Sequence, residues 1–261
     1  FNSNLSQEDS LNEIKKYDIS SIYHMAARAG VRQSFLDPQS YIEDNTYATA
    51  NVANFCKEKD IPEIILASTS SIYGDSGENL MVEEKDEKIK PPSVYASTKL
   101  SGESLSKIIL EDTNTNLIIS RFFTVYGPYG RPDMSILRFI HWIINEEKVK
   151  VFGNGEQQRS FTYIKDVIDA LRRMSGLENS HTFNVGSNIT VSLNEVIKLI
   201  EEFTARSACP PWPLHDPGSS RARRRSRARR DHRPREGQSR PSPPPGSRHA
   251  HRRPGTPRRR G

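Results

Sequence analysis

The 261-residue chain has little cysteine: two residues, Cys56 and Cys209. Two are too few for a disulfide framework or a zinc-ligand spacing, so no metal site is expected and a reducing, cytoplasmic setting fits. No apolar run approaches membrane-spanning length and no basic-then-apolar leader is present, so no membrane association is expected. There is no internal repeat. Lysine disappears after Thr204. From Ala205 onward there are 17 Arg, no Lys and 3 acidic residues, a net +14, against 21 basic and 29 acidic residues in 1–204. The formal charge of +6 therefore combines an acidic globular part with a very basic tail, and any nucleic-acid reading rests on the tail alone. Residues 1–20 contain no glycine and the chain begins at Phe1 rather than Met, which predicts a fragment or a processed product.

What is present is an alternation of short apolar runs and amphipathic stretches. Residues 1–20 are polar, with a brief amphipathic segment around Leu11, Ile14 and Tyr17. A short strand is predicted at Ser21-Ile22-Tyr23, ending at His24, and Ala26-Ala27-Arg28-Ala29-Gly30 reads as a small-residue turn. A helix is predicted over 40–58. Ile64-Ile65-Leu66-Ala67 and Leu117-Ile118-Ile119 are wholly apolar, the pattern of strands buried on both faces of a parallel sheet. Residues 75–92 read as a polar loop, followed by the helix that carries Tyr95 and Lys99 at its head and runs to about Leu110. Beyond Pro128 the pattern predicts a helix near 134–146, a strand at Val149–Phe152, a helix near 165–175 and a strand at 182–185. A last helix follows, capped by Ser192 with Glu195 completing the box. The alternation predicts an α/β fold with a parallel sheet.

Periodicity stops near Thr204. The Arg/Pro-rich segment 205–261 cannot bury enough apolar surface to offset its ordering entropy, so a disordered tail is expected. Its arginines would give salt-sensitive, sequence-independent nucleic-acid binding. No aromatic residue follows Trp212, so base stacking is not expected. A disordered terminus without function is the simpler expectation.

Tyr95-Ala96-Ser97-Thr98-Lys99 carries the chemistry. Four residues make about one helical turn, so the phenol and the ammonium share a face. A nearby cation favours the phenolate, so the Tyr95 pKa is expected to fall toward neutrality. Such a tyrosine can take a proton from a hydroxyl or return one. A hydroxyl run, Ser68-Thr69-Ser70-Ser71, follows the Ile64–Ala67 strand.

Taken with Ser68-Thr69-Ser70-Ser71-Ile72-Tyr73-Gly74, the Tyr95/Lys99 spacing resembles the extended short-chain dehydrogenase/reductase family, the NAD-dependent nucleotide-sugar epimerases and dehydratases. The likeness continues through His24–Arg32, Arg121-Phe122-Phe123-Thr124-Val125-Tyr126-Gly127-Pro128, Gly130-Arg131-Pro132-Asp133-Met134 and Gln158–Asp166. Five blocks in order are far more specific than any one. Within the family, the Ala-Gly-Val-Arg and Gly-Arg-Pro-Asp-Met blocks look most like UDP-glucuronate 4-epimerases.

The resemblance implies a partial Rossmann-type sheet lacking its first strands. Residues 1–130 would be a partial NAD-binding domain and 131–204 an incomplete substrate region interleaved with it. Tyr95 would be the acid/base, Lys99 would support the phenolate and bind the nicotinamide ribose, and Thr69, with Ser70 as alternative, would share the proton. Ala26, Ala27 and Asn45 would line the NAD site, although tight packing also explains the alanines. Arg159 would pair with the substrate diphosphate. Val151 and Phe152 would flank the uracil, Arg131 would shape the sugar pocket, and Arg32 and Ser34 are candidates for the substrate carboxylate. A homodimer through a bundle containing the Tyr95–Lys99 helix is also implied.

The alternatives are a 4,6-dehydratase, which usually carries an acidic pair where Ser70-Ser71 stand, and a non-catalytic fragment. The resemblance enters at the family's fourth strand, so roughly 60–75 residues of its nucleotide-binding half, with the glycine-rich turn, are expected to be absent. The abrupt change after Phe203 suggests an altered reading frame or a gene-model join.

Overall fold

Ile64-Ile65-Leu66-Ala67 forms the centre of the main sheet in the computed structural model, which describes residues 2–74 and 89–206. Strand β2, Glu63–Thr69, is buried at every residue. It lies between β1 (Ile22–His24) and β3 (Asn116–Phe122), and β6 (His181–Val185) completes the order β1-β2-β3-β6, with every pairing parallel. Leu66 sits beside His24 on one side and Ile119 on the other. This double burial explains why the strands read as continuous apolar runs rather than alternating ones.

Helices α3 (Ala48–Glu58) and α4 (Val94–Leu110) pack on the sheet. Val52, Phe55, Cys56, Leu110, Ile64, Leu66, Leu117 and Ile119 make the core there. The two helices approach closely at Gly102, where a Cβ would stand 3.3 Å from Thr49 Cγ2. Because all four strands run the same way, His24, Thr69, Phe122 and Val185 end on one edge of the sheet. That is where parallel α/β sheets build their sites.

A second layer follows Phe122. Strand β4 (Thr124–Tyr126) pairs parallel with β5 (Gln158–Tyr163), and β5 pairs antiparallel with β7 (Thr190–Ser192). Helices α5 (Ser135–Ile144) and α7 (Leu193–Thr204) share a core of Phe139, Ile143, Val149, Val151, Val196, Ile197 and Ile200. Helix α6 (Ile164–Met174) follows β5 directly. The expected cap of α7 is present: Ser192 Oγ accepts from the Glu195 amide at 3.1 Å, and the Glu195 carboxylate accepts from the Ser192 amide at 2.7 Å. Such a cap contributes about 1 kcal/mol.

Two expectations are corrected. Val149–Phe152 is not a strand: Val149 and Val151 are buried, but the segment joins no sheet. Alternating burial there comes from side-chain packing, without a partner for the backbone. The helix expected over 40–58 is three segments. A one-turn helix α2 (Pro38–Tyr41), preceded by the short α1 (Val31–Leu36), leads into a π-helical stretch, Ile42–Tyr47, and then α3. Widened turns of this kind often accompany functional positions, and this one contains Asn45. Of the expected polar loop, residues 75–88 lie outside the described residues, as does the tail from residue 207 onward.

Candidate active site

Helix α4 starts where Ser93 Oγ accepts from the Ala96 amide at 3.1 Å. Tyr95 lies in its first turn, Lys99 one turn on and Glu103 one turn further. Lys99 and Glu103 are buried, with 5% and 1% of their surface exposed, and Tyr95 is half-buried. Tyr95 meets Tyr41 edge to face, with ring centroids 6.4 Å apart.

Thr69 ends β2 within polar reach of the Tyr95 phenol. Its hydroxyl accepts from the Ser71 amide at 3.2 Å, which caps the 3-10 turn Ser70–Tyr73. A hydroxyl has one proton and two lone pairs. With a lone pair engaged by Ser71, the Thr69 proton is free to be donated to the phenol oxygen. Ser70 is half-buried in the same turn.

The electrostatics correct the expectation for Tyr95. Its pKa is raised, not lowered. Burial raises it most, the Thr69 hydrogen bond and then the Arg131 charge draw it down, and Tyr41 raises it. The cation acting on the phenol is therefore Arg131 rather than Lys99. Burial of Lys99 pushes its own pKa down to about 8 against the opposing pull of Glu103, so it remains an ammonium at neutral pH. Among the described residues, no hydrogen bond or ion pair within 4.0 Å engages that ammonium. His24, at the end of β1, has its pKa lowered to about 4 by burial and then by the Lys99 charge. Its Nε2 is 3.1 Å from Thr49 Oγ1.

The turn after β1 is fixed by two side chains. Asn45 Oδ1 accepts from the Arg28 amide at 2.7 Å, and its Nδ2 donates to the Arg28 carbonyl and to Thr98 Oγ1, both at 3.0 Å. The Tyr41 hydroxyl is 2.9 Å from the carbonyls of both Ala29 and Gly30. Gly30 has φ +118°, and a Cβ there would stand 3.2 Å from the Tyr41 hydroxyl. Ala26 and Ala27 are left exposed on an open pocket of about 390 Å³ shared with Ser3, Asn4, Arg28 and Asp44. Asn45 is thus the buried support of this surface, and the two alanines form its face.

The remaining expected site residues lie further out. Arg131 pairs with Asp133 at 3.0 and 2.5 Å and lines a cavity of about 130 Å³ with Thr124, Tyr126, Met134, Ile140 and Phe161. Arg32 stacks on Phe152, its guanidinium 3.8 Å from the ring centre. Val151 is a core residue of the second layer. Ser34 is fully buried, and its hydroxyl donates to the Val31 carbonyl at 2.7 Å. Arg159 is exposed on β5 and donates to the Gln158 carbonyl at 2.9 Å. Thr69 and the Arg131 charge therefore act on Tyr95, Lys99 lies one turn along the same helix, and among the described residues no contact joins Arg159 or Ser34 to them.

Sequence reasoning passed over Tyr41, His24 and a buried polar cluster formed by Ser68, Glu103, Arg121, Tyr73 and Asn184. The signals were there: Glu103 continues the four-residue spacing of Tyr95 and Lys99, and Arg121 interrupts an apolar strand.

A parallel sheet with a hydroxyl at one strand end, facing a Tyr/Lys helix, defines a Rossmann-type α/β protein of the short-chain dehydrogenase/reductase kind. The chain belongs to the NAD dependent epimerase/dehydratase family, whose profile matches residues 1–186. It is 39% identical over 193 residues to a UDP-glucuronate 4-epimerase of Thermodesulfobacterium geofontis, covering 74% of this chain and 59% of that protein. It is 37% identical over 211 residues to an uncharacterised protein of Methanocaldococcus jannaschii, covering 80% and 64%. The chain thus spans about three-fifths of the length of these relatives. A crystal structure of UDP-glucuronic acid 4-epimerase from Bacillus cereus, in complex with UDP-glucuronic acid and NAD, superposes with a TM-score of 0.69 at 33% identity, covering 81% of this chain and 65% of that one.

Proposed function

We propose that the chain carries the proton-transfer half of an NAD-dependent nucleotide-sugar 4-epimerase acting on UDP-glucuronate or a close relative. The observation that carries this reading is the approach of the Thr69 hydroxyl to the Tyr95 phenol, one turn from a buried ammonium. Tyr95, as the phenolate that the charge of a bound nicotinamide would favour over the neutral phenol of the ligand-free chain, takes the proton of the sugar 4-hydroxyl and returns it to the same oxygen once the keto sugar has turned its other face to the hydride donor, while the Thr69 hydroxyl supports the phenolate with a donated hydrogen bond. Bound NAD supplies the hydride acceptor and donor at carbon 4.

The residues present fit the nicotinamide end of that cofactor. Among the described residues no hydrogen bond or ion pair within 4.0 Å holds the buried Lys99 ammonium, which suits a ribose diol, and Ala26 and Ala27 offer small side chains to a ligand backed by Asn45. Residues 1–130 are read as the cofactor side and 131–204 as the substrate side. Arg32, whose guanidinium stacks on Phe152, and Arg131, whose charge reaches Tyr95 and whose fork pairs with Asp133, are the candidate cations for a carboxylate on the reacting sugar, with Ser34 beside Arg32 in the same helix. Arg159 remains the candidate for the diphosphate, and a homodimer through the α4 face belongs to the same reading.

Calorimetric titration of NAD onto the full 261-residue chain tests it, followed by proton NMR of UDP-glucuronate incubated with the complex. Saturable binding and appearance of the C4 epimer are expected. Absence of both overturns the proposal.

A further inference from the structure

A buried ion pair lies directly behind the proton-transfer residues. Glu103 and Arg121 are 1% and 0% exposed, with Arg121 Nη2 at 2.7 Å and Nε at 3.1 Å from the two carboxylate oxygens. Ser68, the residue before Thr69, donates its hydroxyl to Glu103 Oε1. Arg121 Nη1 donates to the Tyr73 hydroxyl at 2.9 Å, and Tyr73 in turn donates to Asn184 Oδ1 at 2.9 Å. The cluster ties together the end of β2, the turn after it, helix α4, β3 and β6. Its two ends matter most: Ser68 is covalently next to Thr69, and Glu103 is two turns along the helix from Tyr95.

We propose that Glu103, held by Arg121, is a positioning residue that sets the Thr69 hydroxyl against the Tyr95 phenol by locking the end of β2 to α4. This rests on the proton-transfer reading above. A buried ion pair is weak evidence for stability, because burying both charges costs much of what their attraction returns. What such a pair does impose is geometry. A fork of guanidinium donors on a carboxylate admits one arrangement, and here that arrangement fixes how far along α4 the Ser68–Thr69 end of the strand can sit. The Thr69 hydroxyl and the Tyr95 phenol whose pKa it draws down stand on the same strand and helix, so their approach depends on the same register. Among the described residues, the groups that act on the Tyr95 phenol are Thr69 from β2, Arg131 from the loop before α5 and Tyr41 from α2, so Glu103 acts on it through Thr69.

The test needs neither cofactor nor sugar, so its failure is separate from failure of the proposed activity. The full chain is labelled at the tyrosine ring carbons, Tyr95 is assigned by loss of its NMR signal in Tyr95→Phe, and its titration is followed in Thr69→Val, Glu103→Gln, Ser68→Ala and the doubles with Thr69→Val. Loss of the Thr69 hydrogen bond raises the Tyr95 pKa. Loss of the Glu103 charge, acting through space alone, would lower it. The expected result is an upward shift in Glu103→Gln and Ser68→Ala when Thr69 is present, and no upward shift when Thr69 is already valine. Should Glu103→Gln fail to fold, Ser68→Ala carries the same test. An unchanged or lowered Tyr95 titration in the folded single variants, or an equal upward shift with and without the Thr69 hydroxyl, overturns the proposal.

Discussion

His24 should make this fold acid-sensitive by a definite amount. The imidazole is 3% exposed at the end of β1, bonded to Thr49 and close enough to Lys99 to feel its charge. Protonation would bury a second cation, and the folded-state pKa drops from 6.5 to about 4. Between those values the unfolded chain binds a proton that the folded chain refuses. Stability therefore rises with pH across this window and is lost as pH falls from 6.5 toward 4. At about 1.4 kcal/mol per pH unit, the whole window amounts to about 3 kcal/mol, a large share of a typical domain's stability. The assay is urea unfolding of the wild type and His24→Gln at several pH values in that window. Carboxylates whose folded pKa values are depressed, Asp37, Asp133 and Glu195, lose their contributions toward low pH in both proteins and cancel in the difference. The wild type should fall more steeply than His24→Gln by about 1.4 kcal/mol per pH unit. Parallel curves would refute the reasoning and mean that His24 titrates normally in the folded chain.

Tyr95→Phe should cut epimerisation by about 10²–10⁴-fold while UDP-sugar affinity, read by calorimetry, stays unchanged. Gly30→Ala should destabilise the chain by more than about 1 kcal/mol in thermal melts, since the new Cβ meets both a positive φ and the Tyr41 hydroxyl. Glu103→Leu or Arg121→Met alone should cost about 3–5 kcal/mol in urea unfolding by stranding a buried charge, whereas the double variant should lie close to the wild type.

The central strands were legible because burial on both faces leaves no polar position to blur the pattern, as β2 shows at all seven residues. The α7 cap was legible because its chemistry is local: Ser192 and Glu195 are three residues apart. Strands β4, β5 and β7 were not, since Thr124–Tyr126 and Thr190–Ser192 are three residues long and Gln158–Tyr163 carries two exposed polar positions. Their existence depends on partners distant in sequence. The Tyr95/Lys99 pair was visible as a spacing, but the direction of the Tyr95 pKa was not. Spacing reports which charges are near, whereas the dominant effect is burial by residues from other elements, and the effective cation, Arg131, lies 36 positions away along the chain. The Ser34 hydroxyl, bonded within its own helix, illustrates the same limit: which face a polar residue presents follows from packing.

Asn45 has a consequence for the kinetics of ligand entry. Its amide engages the Arg28 amide and carbonyl on one side and Thr98 on the other, so the Ala26–Arg28 turn and the Tyr95–Lys99 helix move as one piece. A ligand arriving over Ala26 and Ala27 meets a surface already shaped, with little loop-ordering entropy left to oppose binding. Association should then follow a single phase, linear in ligand concentration, without the slow plateau of a closing loop. Asn45→Asp, which lacks the donors that hold the Arg28 carbonyl and Thr98, should introduce one.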